Sequence, residues 1–246
     1  MSNLSFATNE LKDAAFSLHM VAECLTKVKD DSHYWKWVII ALHNALQGFM
    51  VSALCNGNDF PVIQAAGPRT FECPACSQKT ELPNHSWWGS LEDWLDWFKD
   101  HSRPVPKPVK LLSFMDLYKR IKKQTYMGCQ GGKRFRPRGS QNQSVKRIHE
   151  MRNSFIHFTP KFLYSTGLDY LPIVRDVAEV VSFIAFESGN ILWYGPDGIP
   201  SNSKRLIAEI LTMASELDKY YTEESKTKRK PDPELESWAA DLMRDD

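Results

Sequence analysis

Residues 34–54 read YWKWVIIALHNALQGFMVSAL, and the distribution of apolar residues in this stretch decides the fold. Apolar side chains would cover nearly the whole circumference of a helix at these positions, with His43, Asn44 and Gln47 as the polar exceptions. A helix that is apolar all round belongs in the interior of a protein. We therefore expect an all-α fold, an up-down helical bundle with this helix at its centre.

Other segments of the chain repeat apolar residues at helical spacing, as the outer helices of such a bundle do. They lie at residues 11–28, 111–123, 145–156, 173–184 and 206–217. Pro172 is expected in the first turn of the fourth of these helices, and Gly189 is expected to end it in a left-handed conformation. The helical domain is predicted to cover residues 1–222, followed by a charged C-terminal tail at residues 223–246.

An irregular insert between bundle helices is predicted at residues 56–110, where prolines, a CPAC sequence and a short helix with Trp94 and Trp97 occur. Cys73 and Cys76 of the CPAC sequence are half of a zinc-binding pattern, because tetrahedral zinc requires four ligands. Residues that could complete the site are Cys55, His85, His101 and Cys129. The pair is therefore either part of a structural zinc site or two reduced thiols.

Length and composition fit an intracellular globular protein. The chain has 246 residues, of which 42% are hydrophobic, enough to bury a sizeable core. The longest wholly apolar run near its start, Val38 to Leu42, is much shorter than the ~20 residues of a membrane span. Five cysteines, an odd number without an export signal, favour reduced thiols. We expect a cytoplasmic protein with no membrane partner.

The net charge of +1 conceals a strongly basic segment, since ten Lys and Arg residues lie between residues 119 and 147 without an acidic residue. Tyr126 and Phe135 are interleaved with these cations, as in a path for a polyanion with stacking surfaces. The residues predicted to contact RNA are Lys133, Arg134, Arg136, Arg138, Lys146 and Arg147. The alternative is a solvated loop followed by an exposed helix face.

The loop at residues 127–143 in this segment is rich in Gly and Arg. Such a composition predicts a mobile loop that does not contribute to the core. Ser144 is expected to cap the helix that follows.

That helix carries an RNxxxH motif, Arg152-Asn153-Ser154-Phe155-Ile156-His157. Asn153 and His157 would lie one helical turn apart on the same face, with Arg152 about 140° from His157. Arginine offers a fixed donor fork to phosphate oxygens, histidine suits proton transfer near neutral pH, and Asn153 could orient either partner. Alternatively, His157 stabilises the helix terminus and Arg152 pairs with Glu150 or with a neighbouring helix. His43 is interpreted as a core or interface histidine.

The buried helix with His43-Asn44-Ala45-Leu46-Gln47-Gly48-Phe49-Met50, followed by a helix with Arg152, Asn153 and His157, resembles the HEPN superfamily. The resemblance covers about three fifths of the chain and excludes the insert. It implies a metal-independent endoribonuclease without a catalytic cofactor, with these three residues catalytic. It also implies a homodimer in which two motif helices form one composite site.

The resemblance leaves the biological role open. Members of the superfamily act as toxins, defence nucleases and RNA-processing enzymes, and a toxin would have a cognate antitoxin or regulatory partner. Other members have lost catalysis, so the alternative is a silent module that binds RNA, a nucleotide or a cognate protein. A zinc-stabilised interaction adaptor is a third interpretation.

Overall fold

The computed structural model describes residues 8–55, 62, 69–72, 79–82, 111–128, 131–157, 165–193 and 198–227. In these ranges the chain forms seven helices, which confirms the predicted all-α fold. They are α1 (Glu10–Lys27), α2 (Tyr34–Cys55), α3 (Phe114–Ile121), α4 (Gln124–Met127), α5 (Gln141–Ile156), α6 (Gly167–Ser182) and α7 (Ile199–Thr227). The last helix continues past residue 222, where the helical domain was predicted to end.

Helix α2 is the centre of the bundle, as its sequence predicts. It contacts α1, α3, α4, α5 and α6, and residues all round it are buried. Gly48 allows α1 to approach closely, because a Cβ atom at this position would lie 2.8 Å from Cβ of Ala14. Within the described ranges, α2 is also the one helix long and apolar enough to cross a membrane, but here it forms the core.

Helix α6 begins earlier than the position of Pro172 predicts. Thr166 and Asp169 form a capping box, in which each side chain accepts a hydrogen bond from the other residue's backbone N–H, and the helix starts at Gly167. Pro172 therefore lies beyond the first turn, and that prediction is wrong. After Ser182 the helix widens into a π-turn, Phe183–Glu187, and Gly189 follows with a φ of +70°, as expected.

Two short strands lie within the predicted insert, β1 (Arg69–Glu72) and β2 (Lys79–Leu82). They pair antiparallel, with Arg69 opposite Leu82. Their sequences, RTFE and KTEL, do not alternate apolar and polar residues, so periodicity does not indicate a strand at either place. The candidate zinc ligands Cys73 and Cys76 and the Trp-rich segment lie outside the described residues.

The basic loop before α5 packs on the bundle, so the prediction that it does not contribute to the core is wrong. Phe135 is 4% exposed, and its backbone N–H donates to the carbonyl of Ile121 at 2.9 Å. The N–H of Lys133 donates to the carbonyl of Ser188 at 2.7 Å. One aromatic residue and these backbone hydrogen bonds are enough to hold a polar segment against the core.

The predicted cap of α5 is also wrong. The helix begins at Gln141, so Ser144 lies within its first turn and is buried. The Ser144 hydroxyl donates to the Asp176 carboxylate on α6. It therefore links two helices and does not cap one.

Candidate functional site

The RNxxxH motif lies at the C-terminal end of α5. Arg152 and Asn153 are half-buried, whereas His157 is exposed and is the first residue beyond the helix. The backbone N–H of His157 donates to the carbonyl of Asn153 at 3.0 Å, which continues the helical hydrogen-bond pattern. The structure therefore places all three residues at one edge of the bundle, with His157 the most accessible to a ligand.

A chain of four hydrogen-bonded side chains runs from this edge into the core, and we call it the polar chain. Nη1 of Arg152 donates to Oδ1 of Asn153 at 3.1 Å. Nδ2 of Asn153 lies 3.2 Å from Nε2 of His149. Nδ1 of His149 lies 3.1 Å from Nε2 of His43 on α2. Asn153 is thus bonded to Arg152 and His149, and not to His157.

The arginine sets the direction of every hydrogen bond in the polar chain. A guanidinium group can only donate, so the Asn153 atom facing Arg152 is the oxygen and the atom facing His149 is the amide nitrogen. Nε2 of His149 must then accept, and its proton lies on Nδ1 and points to His43. A proton on Nε2 of His149 would face another donor, so the neutral form of this ring is favoured.

The deep end of the polar chain is enclosed by the core. His43 is 1% exposed, and Phe114 stacks on it with ring centroids 4.0 Å apart. The Phe114 ring also lies nearly parallel to His149, at 4.9 Å and 3°. Nδ1 of His43 is buried without a hydrogen bond of normal geometry. The side chain of the adjacent Asn44 has only a small effect on this ring, in the direction of a higher pKa.

Both histidines of the polar chain are held neutral. Burial lowers the pKa of His43 to about 3, with the Arg152 charge and His149 contributing further. Burial, and then the Arg152 charge, also lower the pKa of His149. A charged histidine at either position would be desolvated and close to a fixed cation, which is unfavourable on both counts. The polar chain therefore carries its positive charge at Arg152 alone.

Arg152 has no carboxylate partner among the residues that the structure describes. Its Nε is buried without a hydrogen bond. Glu150, the alternative partner considered from the sequence, instead lies 3.7 Å from Lys146 in an exposed i,i+4 pair. An arginine that is oriented by an amide but not neutralised retains its charge and free donors for an anionic ligand.

His149 is the site residue that sequence reasoning missed. One signal was present, because His149 lies four residues before Asn153 and therefore on the same helical face. Its other partner, His43, is 106 residues away in the chain, so only the tertiary structure joins them. His43 is a core histidine, as predicted, but it also supports the motif.

The predicted RNA-contacting residues are divided between two places. The cations of the loop line one cavity of about 600 Å³, which we call the basic cavity, and they are Lys133, Arg134, Arg136 and Arg138. Lys146 and Arg147 lie outside it, exposed on α5. Gln141 at the start of α5 also lines the cavity. Since Arg152 is eleven residues further on, the two sites are about 16 Å apart along the helix axis.

The neutral state of His43 predicts that the protein loses stability in mild acid. Below a pH of about 6.5 the unfolded chain binds a proton at this histidine, whereas the folded chain does not until the pH approaches 3. The free energy of unfolding therefore decreases as the pH is lowered through this window, by about 2 kcal/mol from pH 7 to pH 5 for one such histidine. Urea denaturation at the two pH values measures the change.

A pair of matched variants tests whether His43 causes the pH dependence of the unfolding free energy. His43→Leu should reduce the difference in unfolding free energy between pH 7 and pH 5, because a group that cannot titrate replaces the buried ring. His33→Leu, at a position whose side chain is 92% exposed, should retain it. An unchanged pH dependence in the His43 variant would show that the buried histidine is not responsible.

Within the described ranges, no three His, Cys, Asp or Glu side chains converge as a metal site would require. No protein-family profile, curated protein or solved structure matches this chain. The comparison with HEPN proteins therefore depends on the motif and on the order of the helices.

Proposed function

We propose that this protein is a metal-independent endoribonuclease of the HEPN type. The observation that carries the proposal is the Arg152 guanidinium, which Asn153 orients and no described carboxylate neutralises. The exposed His157 follows five residues later, directly after the helix. Cleavage of a phosphodiester requires a cation that stabilises the phosphorane and a group that transfers protons.

RNA supplies its own nucleophile for this reaction. The ribose 2′-oxygen attacks the adjacent phosphorus and gives its proton to a base, while the bond from phosphorus to the 5′-oxygen breaks. The leaving 5′-oxygen takes a proton from an acid, and the products carry a 2′,3′-cyclic phosphate and a 5′-hydroxyl. In the proposal, His157 transfers protons and Arg152 stabilises the charge on the phosphorane oxygens. Asn153 and His149 act as positioning residues for Arg152.

The reaction needs a base and an acid, whereas each chain offers one exposed histidine in the motif. A homodimer with a twofold axis between the motif helices would place two copies of Arg152 and His157 around one phosphate. Light scattering should therefore give twice the mass of the 28.3 kDa chain. A monomer that is fully active at assay concentrations would contradict the shared site.

An RNase assay of the purified protein in excess chelator tests the proposed activity directly. Cleavage that persists in chelator and yields cyclic-phosphate ends supports it. RNA binding without cleavage would instead identify a catalytically silent RNA-binding module. Cleavage that stops in chelator would contradict the metal-independent mechanism.

The cations of the basic cavity are expected to contribute to RNA affinity without reading sequence. Neutralising Lys133, Arg134, Arg136 and Arg138 to Gln together should weaken binding to all RNA sequences and flatten the dependence of affinity on salt. Neutralising four exposed lysines that do not line the cavity is the matched control, and they are Lys12, Lys29, Lys204 and Lys219. Equal salt slopes for both quadruple variants would show that RNA does not contact the loop.

A further inference from the structure

The basic cavity also has acidic residues in its lining. Glu179 and Glu187 line the cavity together with its four cations. None of these cations is within 4.0 Å of either carboxylate, although both signs of charge line one space of about 600 Å³. The cavity therefore offers separate places for an anionic group and for a group that donates hydrogen bonds.

The two carboxylates are not equivalent. Oε2 of Glu179 accepts a hydrogen bond from Nε2 of Gln141 at 2.9 Å, which leaves it partly satisfied. Glu187 is exposed and has no partner among the described residues. No described residue therefore occupies either oxygen of Glu187, and both can accept hydrogen bonds from a ligand.

Glu187 and its neighbour Phe183 are placed in the wall by an unusual element. Both belong to the π-turn Phe183–Glu187, which the Ser188 N–H closes by donating to the Phe183 carbonyl at 2.8 Å. Such π-turns are rare and are frequent at functional sites. Phe183 and Leu211 supply apolar surface between the charged groups.

We propose that the basic cavity is a base-recognition subsite for RNA that prefers guanine, an inference that rests on the proposed action on RNA. Single-stranded bases are recognised in proteins by aromatic stacking and by hydrogen bonds to their Watson–Crick edges. Guanine alone presents two adjacent donors there, N1–H and the 2-amino group, which match the two oxygens of a carboxylate. Glu187 accepts both, Phe183 packs on the base, and the arginines hold the neighbouring phosphates.

The position of the cavity makes this subsite distinct from the motif. Gln141 lines the cavity at the start of α5, and His157 lies sixteen residues later. At 1.5 Å per residue the separation is about 24 Å. Guanine is therefore read away from the bond that is cleaved, and it selects the RNA without taking part in the chemistry.

RNA binding measured without cleavage tests the subsite. The His157→Ala chain is titrated by fluorescence anisotropy with uridine oligonucleotides that contain a single guanine, inosine or adenine. Guanine should bind at least tenfold more tightly than adenine, and inosine, which lacks the 2-amino donor, should fall between them. Glu187→Gln should abolish the preference for guanine over adenine, whereas the exposed Glu216→Gln control should keep it.

The outcomes separate the two proposals. If none of the oligonucleotides binds, both the action on RNA and the subsite are overturned. If they all bind equally and Glu187→Gln has no effect, the subsite alone is overturned. A preference for guanine that survives in the Glu187 variant would also contradict the assignment, because the recognition would then lie elsewhere.

Discussion

His157→Ala should reduce RNA cleavage at least about 100-fold, because removal of a general acid or base typically costs that much or more. The free energy of unfolding should stay within about 0.5 kcal/mol of that of the natural chain, as for other exposed positions. The histidine follows the last turn of α5 and its backbone, not its side chain, makes the hydrogen bond to Asn153. Single-turnover cleavage rates and urea denaturation measure the two effects.

The control is the same substitution at another exposed histidine. His33→Ala, in the turn before α2, should leave the cleavage rate unchanged. If His157→Ala cleaves RNA at the natural rate, His157 is not catalytic and the proposed mechanism is wrong. If it unfolds the protein, the residue is structural, which the exposed position does not predict.

Substitution of Arg152 is expected to affect both activity and the protein interior, unlike substitution of His157. The Arg152 guanidinium donates to Asn153 and adds to the effect of burial in lowering the pKa of His43 and of His149, so Arg152 affects the interior as well as the surface. The His157 side chain, in contrast, can be removed without disturbing the polar chain. The His157 substitution is therefore the cleaner test of catalysis.

The fold could be predicted because its central element is recorded locally in the sequence. The residues of α2 are apolar on every face, and a helix of that composition has few places to lie except a core. The boundaries were harder to predict. The start of α6 was missed although the sequence contains a local signal for it, since Thr166 and Asp169 have the spacing of a capping box.

The site was predictable in part for the same reason. Arg152, Asn153 and His157 occur within six residues at the end of one helix, so the sequence alone places them in the same region of the bundle. The support behind them was not predictable, since His43 belongs to another helix and meets His149 only when α2 and α5 pack. Local periodicity contains no information about such a contact.

For the basic loop, amino-acid composition led to a wrong prediction about packing. Its Gly and Arg content suggested a segment outside the core, but composition averages over positions and hides a single anchor. Phe135 is that anchor, with its ring centroid 5.4 Å from that of Phe183. Because the loop is docked, its cations line a defined cavity with the π-turn, and the sequence pattern alone did not indicate one.

The strongest effect on stability is expected from Phe49→Ala in α2, which should lower the free energy of unfolding by about 3–5 kcal/mol. Phe49 is 0% exposed and packs with its ring centroid 6.2 Å from that of Trp193, so truncation leaves a cavity that the surrounding helices can fill only in part. The melting temperature should fall by roughly 6–20 °C.

Phe16→Ala is the matched control, because the same atoms are removed from α1 at a side chain that is 63% exposed. The Phe16 side chain buries little apolar surface in the folded protein, and alanine has a higher helix propensity than phenylalanine. The unfolding free energy should therefore change by less than about 0.5 kcal/mol. Calorimetry of both variants separates burial from residue type. Equal losses at the two positions would contradict the placement of α2 at the centre of the bundle, because only a buried phenylalanine leaves a cavity when it is truncated.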